Sequence, residues 1–216
     1  MNNSGIAVIT KQKYEKDIQD SIRELRTNLI SSEYDYSTFL VTSTNRGEGR
    51  TTISFNLALS LSRCGKKTVW INCDFRGKSN VLSFRYKEGK KENEQGLCDY
   101  LNENCSLDDI IYRVDEEELQ VIPCGDTKEM SCDLFERKIF TDMLTQLEQD
   151  YEYIILDTSA AKMCADSKIL APKCGGIIYV IQYNKSNRFQ INKVIRELKK
   201  CKGNIIGAVL NQSRPY

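Results

Sequence analysis

The stretch from Thr38 to Thr52, TFLVTSTNRGEGRTT, constrains most of what this chain can fold into. Phe39, Leu40 and Val41 form a short apolar run that reads as a buried strand. Gly47 and Gly49 then bracket a tight turn, and the residues from Ile53 to Leu59 open a helix. A strand that passes through glycines into a helix turns backbone N–H groups toward one concavity. The positive end of the helix dipole adds to them, so such a loop suits a polyphosphate. The match to the pattern G-x-x-x-x-G-K-[ST] is partial, because Thr44 stands at the first glycine and Arg50 at the lysine. Glycine-rich turns between strand and helix also occur as plain connections, and the loop alone leaves that alternative open.

The remaining pattern alternates strand and helix. Apolar, β-branched runs at Thr68–Cys73, Leu119–Pro123, Tyr153–Asp157, Gly176–Ile181 and Asn204–Leu210 read as strands. Helical spacing marks Lys16–Ile30, where Ile18, Ile22, Leu25 and Leu29 share a face, and Asp133–Gln149, with shorter helices at Gly96–Leu101, Leu107–Ile111 and Ser167–Ala171 and a further one at Phe189–Cys201. Gly65-Lys66-Lys67 closes the helix after the loop. The alternation predicts an α/β fold with a doubly wound, mostly parallel sheet flanked by helices, in a single domain over 1–216. Residues 1–13 read as an N-terminal arm, and Ser83–Gln95, charged and without an apolar period, as a loop.

In a parallel sheet the carboxyl ends of the strands face the ligand crevice, which sets Asp74 and Arg76 beside the loop. Asp157 ends an apolar strand in the manner of a Walker-B aspartate, a Mg²⁺-binding position. Asp166 fits a helix N-cap better. On the first helix Asp20, Arg23 and Arg26 stand three apart, either as a ladder for a neighbouring molecule or as a solvated, salt-bridged face.

Composition removes other functions. The formal charge of +1 gives no reason to expect nucleic acid as the main partner. The chain has no histidine, the usual base beside a catalytic serine or cysteine. Nine scattered cysteines, with no secretory signal, read as buried small side chains in a reducing cytoplasm. No apolar run approaches the roughly 20 residues of a membrane span, so any membrane association is expected through a partner.

Several motifs in order now carry a resemblance over about Ile18 to Leu210: Ser21–Asn28, Gly47-Glu48-Gly49 with Thr51-Thr52, Cys73–Arg76, Ile154–Thr158 and Val209-Leu210-Asn211. The chain resembles the cytoplasmic domain of bacterial tyrosine kinases of the capsule and exopolysaccharide systems, a branch of the deviant-Walker P-loop ATPases. That resemblance implies ATP and Mg²⁺ as cofactors, with Thr51, Asp74 and Asp157 at the metal, and Gly47, Glu48, Gly49, Arg50, Thr51, Thr52 and Asn211 around the nucleotide, Asn211 touching the adenine. Arg50, Asp74 and Asp157 would carry the chemistry, and Asp20, Arg23 and Arg26 would join copies in a homo-oligomer. It also implies a partner, the cytoplasmic segment of a membrane activator, and a place at the inner face of the membrane.

Three departures fall on the chemistry: Arg50 for the family's lysine, Asn72 for an aspartate and Ala160 for a proline. Arginine contacts phosphate, but its planar head is wider than an ammonium, and asparagine is neither a base nor an anionic ligand. The chain ends Asn211-Gln212-Ser213-Arg214-Pro215-Tyr216, without the tyrosine-rich tail that such kinases phosphorylate. Either another protein is then the substrate or autophosphorylation is not the role of the chain. The alternatives are a nucleotide-binding regulatory pseudokinase and an assembly or partitioning ATPase.

Overall fold

The computed structural model describes residues 5–10, 16–32, 34–76, 82–86, 95–114, 117–125 and 132–212. Among these, the strands in chain order are β1 (Gly5–Thr10), β2 (Thr38–Ser43), β3 (Thr68–Cys73), β4 (Leu82–Tyr86), β5 (Tyr112–Val114), β6 (Gln120–Ile122), β7 (Tyr153–Thr158), β8 (Gly176–Gln182) and β9 (Ile205–Asn211). The helices are α1 (Lys16–Ser31), α2 (Arg50–Arg63), α3 (Leu97–Leu101), α4 (Leu107–Ile110), α5 (Lys138–Asp150), α6 (Asp166–Leu170) and α7 (Arg188–Lys200). One sheet joins the strands in the order β4-β1-β5-β6-β3-β7-β2-β8-β9. From β6 to β9 every pairing is parallel, while β5 runs antiparallel to β6 and β4 antiparallel to β1. This is the doubly wound, mostly parallel sheet that the alternation predicts.

Successive residues of a strand point to opposite faces, and both faces here are covered. Leu40, Val69, Ile71, Ile154, Leu156 and Ile177 pack into a core with residues of α3, α4, α5, α6 and α7. Their neighbours Phe39, Val41, Trp70, Ile155 and Ile178 pack against α1 and α2. Strands buried on two sides cannot alternate polar and apolar residues along their middle, which is why β2, β3 and β7 read as continuous apolar runs there. Trp70, fully buried, meets Phe55 of α2 edge to face at 5.6 Å and donates its indole N–H to Ser54 Oγ at 3.0 Å. The α2 helix is thereby fixed over the sheet that carries its loop.

Five expectations change. The arm contains β1, and part of the expected loop, Leu82–Tyr86, is β4; the two pair antiparallel with Ala7 opposite Arg85. Residues 1–4, 11–15 and 87–94 lie outside the described residues. The single helix expected over Asp133–Gln149 is a 3-10 turn, Cys132–Glu136, followed by α5. Arg137 breaks it with an extended backbone, its Nη1 donating to the Leu101 carbonyl at 3.1 Å. Of the eight cysteines whose side chains are described, all free, three are buried: Cys73, Cys98 and Cys174. Asp166 is the first residue of α6 rather than its cap, and its Oδ2 accepts from Ser159 Oγ and, at 3.0 Å, from Cys164 Sγ.

Candidate phosphate-binding site

Because β3, β7, β2, β8 and β9 are parallel neighbours, their carboxyl ends lie along one edge, and the loops after them converge there. The register sets Asn72 opposite Asp157, Cys73 opposite Thr158, and Gln182 opposite Asn211. The loop between β2 and α2 passes Gly47 at φ +80° and Gly49 at φ +92°, the left-handed region that glycine enters without steric cost. Gly49 has a second reason to be glycine: an added Cβ would stand 2.0 Å from Asn211 Nδ2. That amide donates to the Glu48 carbonyl at 3.0 Å, so the last strand is clipped to the loop.

The loop's own side chains hold its shape. Glu48 is wholly buried, and its carboxylate accepts from the Asn45 backbone N–H at 3.0 Å, the Asn45 amide at 3.1 Å and the Ser186 hydroxyl. Ser43 Oγ donates to the Asn45 carbonyl at 2.9 Å, and the hydroxyls of Thr44 and Tyr179 share a hydrogen bond of 2.7 Å. The α2 helix that follows has no side-chain cap and no acidic residue in its first turn, and Thr51 and Thr52 there are half-buried. The positive end of this helix is accordingly free to meet an anion.

Arg50 does not extend across the loop. It is 6% exposed and lies beneath it, with Nη1 donating to the Thr158 carbonyl and Nη2 3.4 Å from Asp74 Oδ2. Asn72 Oδ1 accepts the Asp74 N–H at 3.0 Å, which positions that carboxylate. Asp157 is 1% exposed, and neither of its oxygens has a hydrogen-bond partner. Burial pushes its carboxyl up to about 7. Arg50's charge and the nearby Thr51 and Ser54 hydroxyls oppose the shift, without either hydroxyl reaching hydrogen-bond geometry, and Asp74 adds to it.

Unpartnered buried carboxylate oxygens are the donor type that a hard divalent cation takes. Asp157, Asp74 and the Thr51 hydroxyl fit Mg²⁺ in this respect. Among the described residues no group of three or more Asp, Glu or Cys side chains is placed to hold a metal, so the protein supplies few ligands and phosphate oxygens would have to complete the set. Asn45, Ser186 and Tyr179 are the loop-supporting residues that the motif pattern does not disclose; only the spacing of Asn45 three residues before Glu48 hints at one of them.

On α1, Arg23 pairs with Asp20 at 2.8 Å, with more than half of each side chain exposed. Arg26 leaves that stripe and donates to the Ser60 carbonyl and hydroxyl of α2, each at 3.3 Å.

A mostly parallel sheet with helices on both faces and a glycine loop entering a helix at its carboxyl edge defines a P-loop protein. The sequence matches the AAA domain family over residues 37–206. It is 30% identical over 205 residues to tyrosine-protein kinase CpsD of Streptococcus agalactiae, covering 95% of this chain and 88% of that protein. The CpsD of Streptococcus pneumoniae serotype 4 is 31% identical over 202 residues, covering 94% and 87%. The crystal structure of the VpsO kinase domain superposes with a TM-score of 0.80 at 26% identity, covering 92% of this chain and 98% of that one. The chain belongs to the bacterial tyrosine-kinase family of P-loop proteins to which these relatives belong.

Proposed function

We propose that the chain binds ATP with Mg²⁺ in this loop and transfers the γ-phosphate to a protein tyrosine, in capsule or exopolysaccharide production. The observation that carries the reading is Asp157: a carboxylate buried without a partner, at the end of β7, beside a phosphate loop already held in shape. The Gly47–Gly49 backbone and the α2 N-terminus would receive the phosphates, with Thr52 in contact. Thr51, Asp74 and Asp157 would hold the ion, which when bound neutralises charge on the β- and γ-phosphates. Asp74, 11% exposed at its side chain and steadied by Asn72, is the group to accept the tyrosine proton. Asn211 would border the adenine.

The family setting supports a cytoplasmic place for the chain, next to the cytoplasmic segment of a membrane activator, since relatives are named for capsule loci. Among the described residues no helix is long and apolar enough to cross a membrane. The exposed Asp20–Arg23 pair offers a contact between copies in a homo-oligomer.

A second reading has its own observation. Both arms of Arg50 are engaged inside the protein, which favours a regulatory pseudokinase that binds nucleotide without transferring phosphate. Incubation with γ-labelled ATP, Mg²⁺ and the activator's cytoplasmic segment separates the two. Phosphotyrosine that disappears in Asp74→Ala is expected; ATP binding without label refutes the kinase, and phosphate release without label indicates an assembly ATPase.

A further inference from the structure

Arg50 stands where a cation is wanted. Its guanidinium has the carbonyl of Thr158, the residue after Asp157, on one arm and the Asp74 carboxylate on the other. A carboxylate and a carbonyl are oxygen donors of the kind that gather around a divalent ion. Both residues of the Arg50–Asp74 pair are withdrawn from water, with side-chain exposures of 6% and 11%. Screening by salt is weak at that depth, so the guanidinium compensates the Asp74 carboxylate in the free protein. A lysine at this position offers one point charge, whereas the arginine fork meets two oxygens at once.

Asn72 acts in the same direction. It lies in register with Asp157 and gives Asp74 a neutral oxygen, where an aspartate would add a further negative charge. One guanidinium against the Asp74 carboxylate leaves little negative charge there to attract a metal before nucleotide arrives.

We propose that the Arg50 guanidinium is the resident cation at the Asp74 carboxylate, so that this chain captures nucleotide with little dependence on a divalent ion. The inference rests on reading the loop as a nucleotide site. A divalent ion then serves phosphate transfer rather than nucleotide capture. Removing Arg50 leaves the buried Asp74 carboxylate without compensation, and Mg²⁺ becomes the available substitute.

Two measurements test this. Calorimetric titration of ATP into the wild-type chain, in excess Mg²⁺ and in EDTA, is expected to give dissociation constants within about threefold of each other, and in Arg50→Gln to give a ratio of about tenfold or more. A wild-type chain that loses about tenfold or more in EDTA, or a variant with the wild-type ratio, overturns the proposal. The second measurement uses MgCl₂ without nucleotide: the wild-type thermal midpoint stays put, while that of Arg50→Gln rises by about 2 °C or more. Equal insensitivity in both proteins overturns the proposal. A wild-type chain that binds ATP in neither buffer removes the nucleotide reading, and the MgCl₂ comparison then decides by itself whether Arg50 fills the cation's place. Should Arg50→Gln not fold, Arg50→Lys serves in both comparisons, since a single ammonium spans fewer of the oxygens and a larger Mg²⁺ response than the wild type is expected.

Discussion

Replacing Gly49 by alanine tests the geometry of the loop without any ligand. At φ +92° an alanine is strained by about 1–2 kcal/mol. Its Cβ also falls 2.0 Å from Asn211 Nδ2 and 3.2 Å from Cγ, so the amide must withdraw. Withdrawal breaks the 3.0 Å hydrogen bond to the Glu48 carbonyl, a loss of about 1 kcal/mol. The expected destabilisation is therefore about 2–3 kcal/mol, read from urea denaturation midpoints. Gly47→Ala is the control: φ is +80° but nothing lies within 4 Å of its Cβ, so the strain stands alone at about 1–2 kcal/mol. Asn211→Ala loses that hydrogen bond and the exposed one its Oδ1 accepts from the Gln212 N–H at 2.9 Å, together about 1–2 kcal/mol. In the double variant the clash is gone and the bond is lost only once, so its destabilisation falls short of the sum by about 1 kcal/mol. Additivity within roughly 0.3 kcal/mol means that the two residues do not touch, and refutes the reasoning.

Three further outcomes follow from the site. Asp157 is raised from 3.8 to about 7, so between those values the folded chain keeps a proton that the unfolded chain releases. Stability accordingly falls as pH rises toward 7, and the ionisation cost is complete above it. In metal-free urea denaturation, Asp157→Asn is expected to stabilise at pH above 7, by at most roughly 4 kcal/mol, and to change little near the ordinary carboxylate range; a constant difference across that range would contradict the burial argument. Glu48→Ala leaves the Asn45 N–H without its acceptor and should cost about 1–3 kcal/mol, together with weaker ATP binding by titration. Arg23→Glu disturbs only an exposed pair, so unfolding should shift by under about 1 kcal/mol while any oligomer seen by sedimentation dissociates.

What could be read from the residues was whatever is local. The strands β2, β3 and β7 announce themselves because both faces are buried and their central positions form an unbroken apolar run. Strands β1 and β4 do not, since Ile6–Ile9 gains its partners only from segments more than 70 residues later, one of them within a stretch that reads as charged. The same division holds at the site. Gly47, Gly49 and Asp157 are visible as turn and strand-end signals. That Arg50 folds under the loop to the Thr158 carbonyl depends on β7, which lies 108 residues away, and nothing near Arg50 discloses it. Arg26 likewise reads as part of the Asp20–Arg23 stripe until α2 is packed beside it.

The clip between Asn211 and Glu48 joins positions 163 residues apart. A ribosome must have made the chain through β9 before that contact exists. Segments that fold early during synthesis therefore do so with the phosphate loop unclipped, and nucleotide arrives too late to guide them. The edge strand β9 is the closing piece of the assembly, and damage to it removes the loop's restraint while leaving the central sheet in place.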